Sequence, residues 1–139
     1  MTATLVIDCS VAMSWCFADE ATPQTASVQE RLVTEVAIVP AHWPLEVTNV
    51  LAMAERRQRI NAADSTEFLN LLGQFAIEVD DQTSNRAFDQ ILHLARTHGL
   101  TTYDAAYLEL ALRRQLPLAS LDVALCRAAS VLGVELLIG

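Results

Sequence analysis

Lysine is absent from the 139 residues, so all nine fixed positive charges are arginines, set against seventeen acidic side chains for a net charge of −8. Without lysine, P-loop phosphate binding, Schiff-base catalysis and lysine-assisted phosphotransfer are excluded. The acidic balance excludes a passive nucleic-acid coat, which needs a basic face. It does not exclude an enzyme that gathers carboxylates around cations. Cysteines number three, Cys9, Cys16 and Cys126, with no C-x-x-C pair and no histidine at zinc-finger spacing. They read as small buried hydrophobes in a reducing compartment. Cys9 follows Asp8, and a neighbouring acid raises a thiol pKa, which argues against a nucleophile. Glycine and proline are scarce at four each while hydrophobic residues reach 53%, so disorder is excluded and one domain over residues 1–139 is expected. No apolar run approaches the roughly 20 residues of a membrane span. Met1-Thr2-Ala3-Thr4 has no positive charge, as a secretion signal would. The expected setting is the cytoplasm.

What is present is an alternation of short β-branched runs and amphipathic stretches. Strands are expected at 5–7, 36–39, 76–79, 117–120 and 134–138. Helices are expected at 10–17 with Ser10 as a cap, then 23–34, 45–59, 65–75, 83–97, 103–115 and from Asp122 to Leu132. In the sixth helix Leu100, Tyr103, Tyr107, Leu108, Ala111 and Leu112 recur at helical spacing, and Thr101 or Thr102 can cap its first turn. The fifth has Ala87, Phe88, Ile91, Leu92, Leu94 and Ala95 as its apolar face. This order predicts an α/β fold with a parallel sheet of five strands flanked by helices.

In such sheets the ligand crevice lies at the carboxyl ends of the strands. Asp8 ends the first strand and Asp122 follows the fourth by two residues. Glu46 opens the helix after the second strand, and Asp104 the helix before the fourth. Each of the last three has an ordinary role in a first turn or cap. Asp8 does not, because an acid at the buried end of a central strand is costly unless paired or metal-bound. Four converging carboxylates with no lysine between them would repel strongly without cations, and oxygen-only ligation suits Mg²⁺ or Mn²⁺. Glu55, Asp64, Glu67, Glu78, Asp80, Asp81, Asp89 and Glu109 read as solvated surface.

The runs Val6-Ile7-Asp8-Cys9-Ser10, Trp43-Pro44-Leu45-Glu46-Val47-Thr48-Asn49, Tyr103-Asp104-Ala105-Ala106-Tyr107 and Leu118-Ala119-Ser120-Leu121-Asp122 resemble the PIN-domain family, closest to the ribonuclease toxins of VapBC toxin–antitoxin pairs. The resemblance implies a three-layer fold with five parallel strands, Mg²⁺- or Mn²⁺-dependent endoribonuclease activity, a homodimer and a cognate antitoxin. Position by position it makes Asp8, Glu46 and Asp104 metal-binding acids and Asp122 a fourth that acts through water. Ser10, Asn49 and Ser120 match polar supports near the metal. The implied chemistry is hydrolysis of RNA phosphodiesters by a metal-activated water, leaving 5′-phosphate and 3′-hydroxyl ends.

Three other readings compete. An aspartyl-phosphate protein also places an Asp at the end of its first strand, but needs a lysine. A metal-free ribonuclease would need a pair such as two of His42, His93 and His98, which read as structural or surface residues. A non-catalytic binding module would use the acids for folding alone. Arg56, Arg57 and Arg59 form one basic cluster and Arg113 with Arg114 another; both sit where a helix C-terminus favours positive charge, and both are candidate RNA contacts. Met13, Trp15 and Phe17 crowd one short helix, and an interface with the antitoxin or a second subunit is expected to take part of them.

Overall fold

The computed structural model describes residues 2–138. Met1 and Gly139, the ends of the expected domain, lie outside the described residues. Four parallel strands form one sheet in the order β3-β2-β1-β4. They are β1 (Ala3–Ile7), β2 (Val36–Val39), β3 (Ile77–Val79) and β4 (Leu118–Ala119). Leu5, Val6 and Ile7 have no exposed surface, as expected of a β-branched run buried on both faces. Val6 registers with Ile38 on one side and with Leu118 on the other. The flanking helices complete an α/β fold, and no helix among the described residues is long and apolar enough to cross a membrane.

The expected fifth strand at 134–138 reduces to a single parallel bridge between Leu118 and Leu136. Leu118 N–H donates to Glu135 O at 2.9 Å, and Leu137 N–H donates to Leu118 O at 3.0 Å. With β4 only two residues long before the chain turns at Ser120, there is no longer ladder to join.

The helices are α1 (Cys9–Ser14), α2 (Pro23–Arg31), α3 (Trp43–Arg56), α4 (Ala62–Leu72), α5 (Thr83–Arg86), α6 (Leu92–His98), α7 (Thr102–Arg114) and α8 (Val123–Val131). Helix α4 begins three residues earlier than expected. The polar Asn61–Asp64 segment is a reciprocal cap rather than a break, with Asp64 N–H bonded to Asn61 Oδ1 and Asn61 N–H bonded to Asp64 Oδ2. Between α5 and α6 a π-helical turn covers Ala87–Ile91. The wider turn breaks the 3.6-residue periodicity, and Phe88, expected on the apolar face, is 95% exposed while Ile91 and Ala95 stay buried.

Helix α7 is the central helix. Every residue from Ala105 to Ala111 is buried, and Ala105 and Ala106 pack closely on Ile91 and Ala95. Thr101 caps it by accepting from Asp104 N–H at 3.1 Å, and Gly99 ends the preceding helix at a φ of 65°. Tyr103, assigned to its apolar face, is instead exposed.

The interface expected at α1 is mostly core. Met13 and Phe17 are buried. Trp15 is half-buried, its Nε1–H donating to Thr25 O at 2.9 Å and its ring meeting Phe75 edge-on at 5.8 Å. The three cysteines are free and half-buried.

Candidate active site

Asp8 leaves the end of β1 and caps α1, its Oδ1 accepting from Val11 N–H at 3.1 Å. Ser10, expected in that capping place, supports the carboxylate instead. Ser10 Oγ donates to Asp8 Oδ1 at 2.6 Å and Ser120 Oγ donates to Asp8 Oδ2 at 2.5 Å. Each serine is fixed in turn by a backbone donor from the loop after β4. Leu121 N–H donates to Ser10 Oγ at 3.0 Å and Asp122 N–H donates to Ser120 Oγ at 2.9 Å. Because each hydroxyl oxygen accepts an N–H, its own proton is directed at the carboxylate. Asp8 is 4% exposed, and among the described residues no arginine or histidine pairs with it. Burial pushes its pKa up to about 6 against the Ser10, Ser120 and Val11 bonds, and the charge of Asp104 adds to the rise.

Asp104 lies in the first turn of α7 and is half-buried. Burial, then the charges of Asp122 and Glu46, raise its pKa above its ordinary value. Asp122 caps α8, Oδ1 accepting from Leu125 N–H at 2.8 Å, so it combines the capping role with a place beside the serine network. Glu46 sits in the first turn of α3 and accepts a hydrogen bond from the Tyr107 hydroxyl of α7. His42 Nε2 lies 3.3 Å from the same Glu46 oxygen without hydrogen-bond alignment. Asn49 is exposed one turn further along α3, and among the described residues no side-chain hydrogen bond joins it to an acid. The thiol of Cys9 is pushed up to about 12 by burial and by the charges of Glu46, Asp8 and Glu20, which rules it out as a nucleophile near neutral pH.

The four acids therefore share one field at the carboxyl edge of the sheet, but they do not close into a cage. Among the described residues no three His, Cys, Asp or Glu side chains stand close enough to hold a metal ion unaided. The donor set is hard oxygen throughout, and it fits a divalent cation that keeps several of its own waters, as Mg²⁺ does. Residues 5–131 match the family model of the PIN domain.

The chain belongs to the PIN-domain family. No curated protein matches this PIN domain in sequence. Among solved structures it is similar to PAE2754 from Pyrobaculum aerophilum at 22% identity, with a TM-score of 0.70 over 92% of this chain and 86% of that one. FitAcB from Neisseria gonorrhoeae is similar at 19% identity and a TM-score of 0.64, covering 96% of each chain. VapC20 of Mycobacterium tuberculosis, described as a sarcin-ricin loop cleaving toxin, is similar at 11% identity and a TM-score of 0.60, over 90% of this chain and 95% of that one. At these identities the likeness is one of fold.

Arg56, Arg113 and Arg114 lie in the last turns of α3 and α7, as expected, but Arg113 and Arg59 are paired with acids of the chain itself. Arg113 is closed between two buried acids that were read as surface, Asp80 and Glu109, at 2.7 and 2.9 Å. Arg59 pairs with Asp19 at 2.5 Å and Glu20 at 3.2 Å, and its guanidinium lies 3.8 Å from the centre of the Phe17 ring. Arg56 and Arg57 are exposed at the end of α3, and Arg114 is half-buried at the end of α7.

Tyr107 and His42 are the site residues that sequence reasoning missed. A signal was available for Tyr107: a buried tyrosine usually brings its hydroxyl to a partner, and this one lies one turn from Asp104 on the same helix. Tyr107→Phe is expected to weaken Mn²⁺ binding by about 10- to 100-fold, the range for losing a support of a metal ligand. Calorimetric Mn²⁺ titration of the two proteins checks this, and equal affinities would remove Tyr107 from the site.

Proposed function

We propose that this PIN domain is a Mg²⁺- or Mn²⁺-dependent endoribonuclease, the toxin of a toxin–antitoxin pair, acting in the cytoplasm as a homodimer. The observation that carries the reading is Asp8. It is a buried carboxylate with no paired cation among the described residues, its pKa raised by burial and by Asp104, at the strand edge where Glu46, Asp104 and Asp122 add to the same field. An acid used only for folding gains nothing from that company, whereas a cation site requires it. Asp8, Glu46 and Asp104 would hold the cation directly and Asp122 through water. Bound there, the cation would supply an activated water and charge stabilisation at the phosphodiester.

The chain's own part is positioning. Ser10 and Ser120 hold the Asp8 carboxylate in one orientation, and Tyr107 fixes one oxygen of Glu46. Thr101 sets the first turn of α7 and with it Asp104. Helix α7, buried from Ala105 to Ala111, keeps these groups in register with the strand ends, which is what in-line attack on a phosphate requires.

A protein partner is supported by charge and shape. A guanidinium from a partner would pair with the clustered carboxylates in a planar fork. Beside α1 a groove of 570 Å³, where Trp15, Cys16, Ile60, Phe68 and Leu71 alternate with Asp64, Glu67, Asn70 and Gln74, suits an amphipathic segment of the same partner. The exposed Phe88 supports a second copy of the chain as the other contact.

Expression of the chain alone in a bacterial host is expected to arrest growth, and the Asp8→Asn form is expected to be harmless at the same level. An unmodified chain that is harmless, or an Asp8→Asn form that is equally toxic, would favour a binding module.

A further inference from the structure

We propose that Tyr103, backed by His42, is a stacking shelf for a nucleobase next to the phosphate that is cut. The inference rests on the nuclease reading above and adds what selects the strand. Tyr103 immediately precedes Asp104 and is 62% exposed in the first turn of α7. Its ring is held in place. His42 packs against it with centroids 5.6 Å apart at an interplanar angle of 50°, and His42 in turn meets Tyr107 edge-on at 5.3 Å. The other end of this aromatic column is Glu46, which touches both Tyr107 and His42. An open aromatic face therefore stands at the rim of the acid site, anchored to two of its members.

The surroundings favour a base over a bare phosphate chain. Leu45, Tyr103 and Leu121 are all exposed, and they directly precede Glu46, Asp104 and Asp122. The rim of the acid site is apolar at these places. The chain carries a net charge of −8 with no lysine, Arg113 is closed between the buried Asp80 and Glu109, and Arg59 pairs with Asp19 and Glu20. A strand held mainly by counterion release needs a positively charged groove, and the acids gathered at this rim oppose one. Stacking supplies affinity without charge, and it is tolerant of sequence because every base has a π-face. A base within a duplex has both faces covered and cannot use the shelf, whereas a base in a loop, bulge or single strand can. Tyrosine also loses little rotamer freedom on binding, and the His42 contact reduces that loss further.

The test uses the full-length chain with Ca²⁺ in place of Mg²⁺ to slow hydrolysis. The probes are an unstructured oligoribonucleotide carrying one 2-aminopurine and a strand of equal length lacking bases at the central positions. The wild-type chain is expected to quench 2-aminopurine, and Tyr103→Trp is expected to retain the quench. Tyr103→Ala should lose it and weaken binding of the base-bearing strand by about 5- to 150-fold, the range for one aromatic–base stack. Binding of the base-free strand should be the same for all three proteins. Thermal melting checks that the exposed substitution leaves the fold intact. If Tyr103→Ala binds the base-bearing strand within about twofold of wild type while wild type hydrolyses RNA in Mg²⁺, the shelf is wrong and the nuclease reading stands; the exposed ring would then belong to a protein interface. Equal losses on both strands would make Tyr103 a backbone contact or a structural residue, and would also overturn the shelf. If wild type neither binds nor hydrolyses any RNA, both readings fall together.

Discussion

Replacing Asp8 with asparagine is expected to lower RNA cleavage by about three orders of magnitude, the factor that about 4 kcal/mol of transition-state stabilisation represents. The same substitution should stabilise the metal-free protein. In the fold the Asp8 pKa stands at about 6 against an ordinary 3.8, so the folded state holds its proton more tightly than the unfolded chain. The stability this contributes is fully present below about pH 4 and is lost as pH rises through about 6. At neutral pH the ionised, buried carboxylate costs about 3 kcal/mol on this account. Asparagine removes that cost, less whatever is lost when its amide nitrogen faces a serine proton that must turn away. Urea denaturation in EDTA from pH 4 to 7 checks both parts. Wild type should lose stability across the range and Asp8→Asn should lose much less. Parallel curves would show that Asp8 is not the group burdened by burial.

Arg113→Met is expected to destabilise the protein by about 3–5 kcal/mol, because it leaves two buried carboxylates without their cation. Asp80 is tied to β2 by its own N–H, which donates to Val39 O at 2.8 Å, and its side chain accepts from Thr83 Oγ1 at 3.2 Å. Arg113 joins that strand end to α7 through its two terminal guanidinium nitrogens, reaching Asp80 at 2.7 and 3.2 Å. Burial alone would raise the Asp80 pKa, but the Arg113 bonds and charge outweigh it and leave it lowered. This part of the stability is therefore present at neutral pH and is lost as pH falls through the lowered value. Combining Arg113→Met with Asp80→Asn and Glu109→Gln should recover much of the loss, since no charge is then stranded. Urea midpoints of the single and triple variants measure it. A single variant of wild-type stability that binds RNA weakly would restore Arg113 to the substrate side.

The parts of the site that were legible in the sequence are those set by local position. Asp8 stands out because a carboxylate at the end of a buried strand has few ordinary explanations. Asp122 and Asp104 lie in recognisable cap and first-turn positions. The illegible parts depend on which distant segments meet. Tyr107 and Glu46 are 61 positions apart, and no periodicity joins them; Ser120 and Asp8 are 112 apart, and only the family resemblance brings Ser120 to the acids. Asp80 and Glu109 look like other surface acids until folding places Arg113 between them. Phe88 fits a helical apolar stripe, but one π-turn changes the phase, and a local pattern does not encode that extra residue. The fifth strand has the right residues; its neighbour is too short for more than a single bridge.

The central claim is that a divalent cation held by Asp8, Glu46 and Asp104, with Asp122 behind it, lets this PIN domain cut RNA. Its most direct measurement is incubation of the purified chain with a panel of defined RNAs in Mg²⁺, in Mn²⁺ and in EDTA, with the ends of every product identified. The account predicts cleavage in either metal, none in EDTA, and products bearing 5′-phosphate and 3′-hydroxyl termini. Cleavage that survives EDTA, or products ending in 2′,3′-cyclic phosphate, would contradict it.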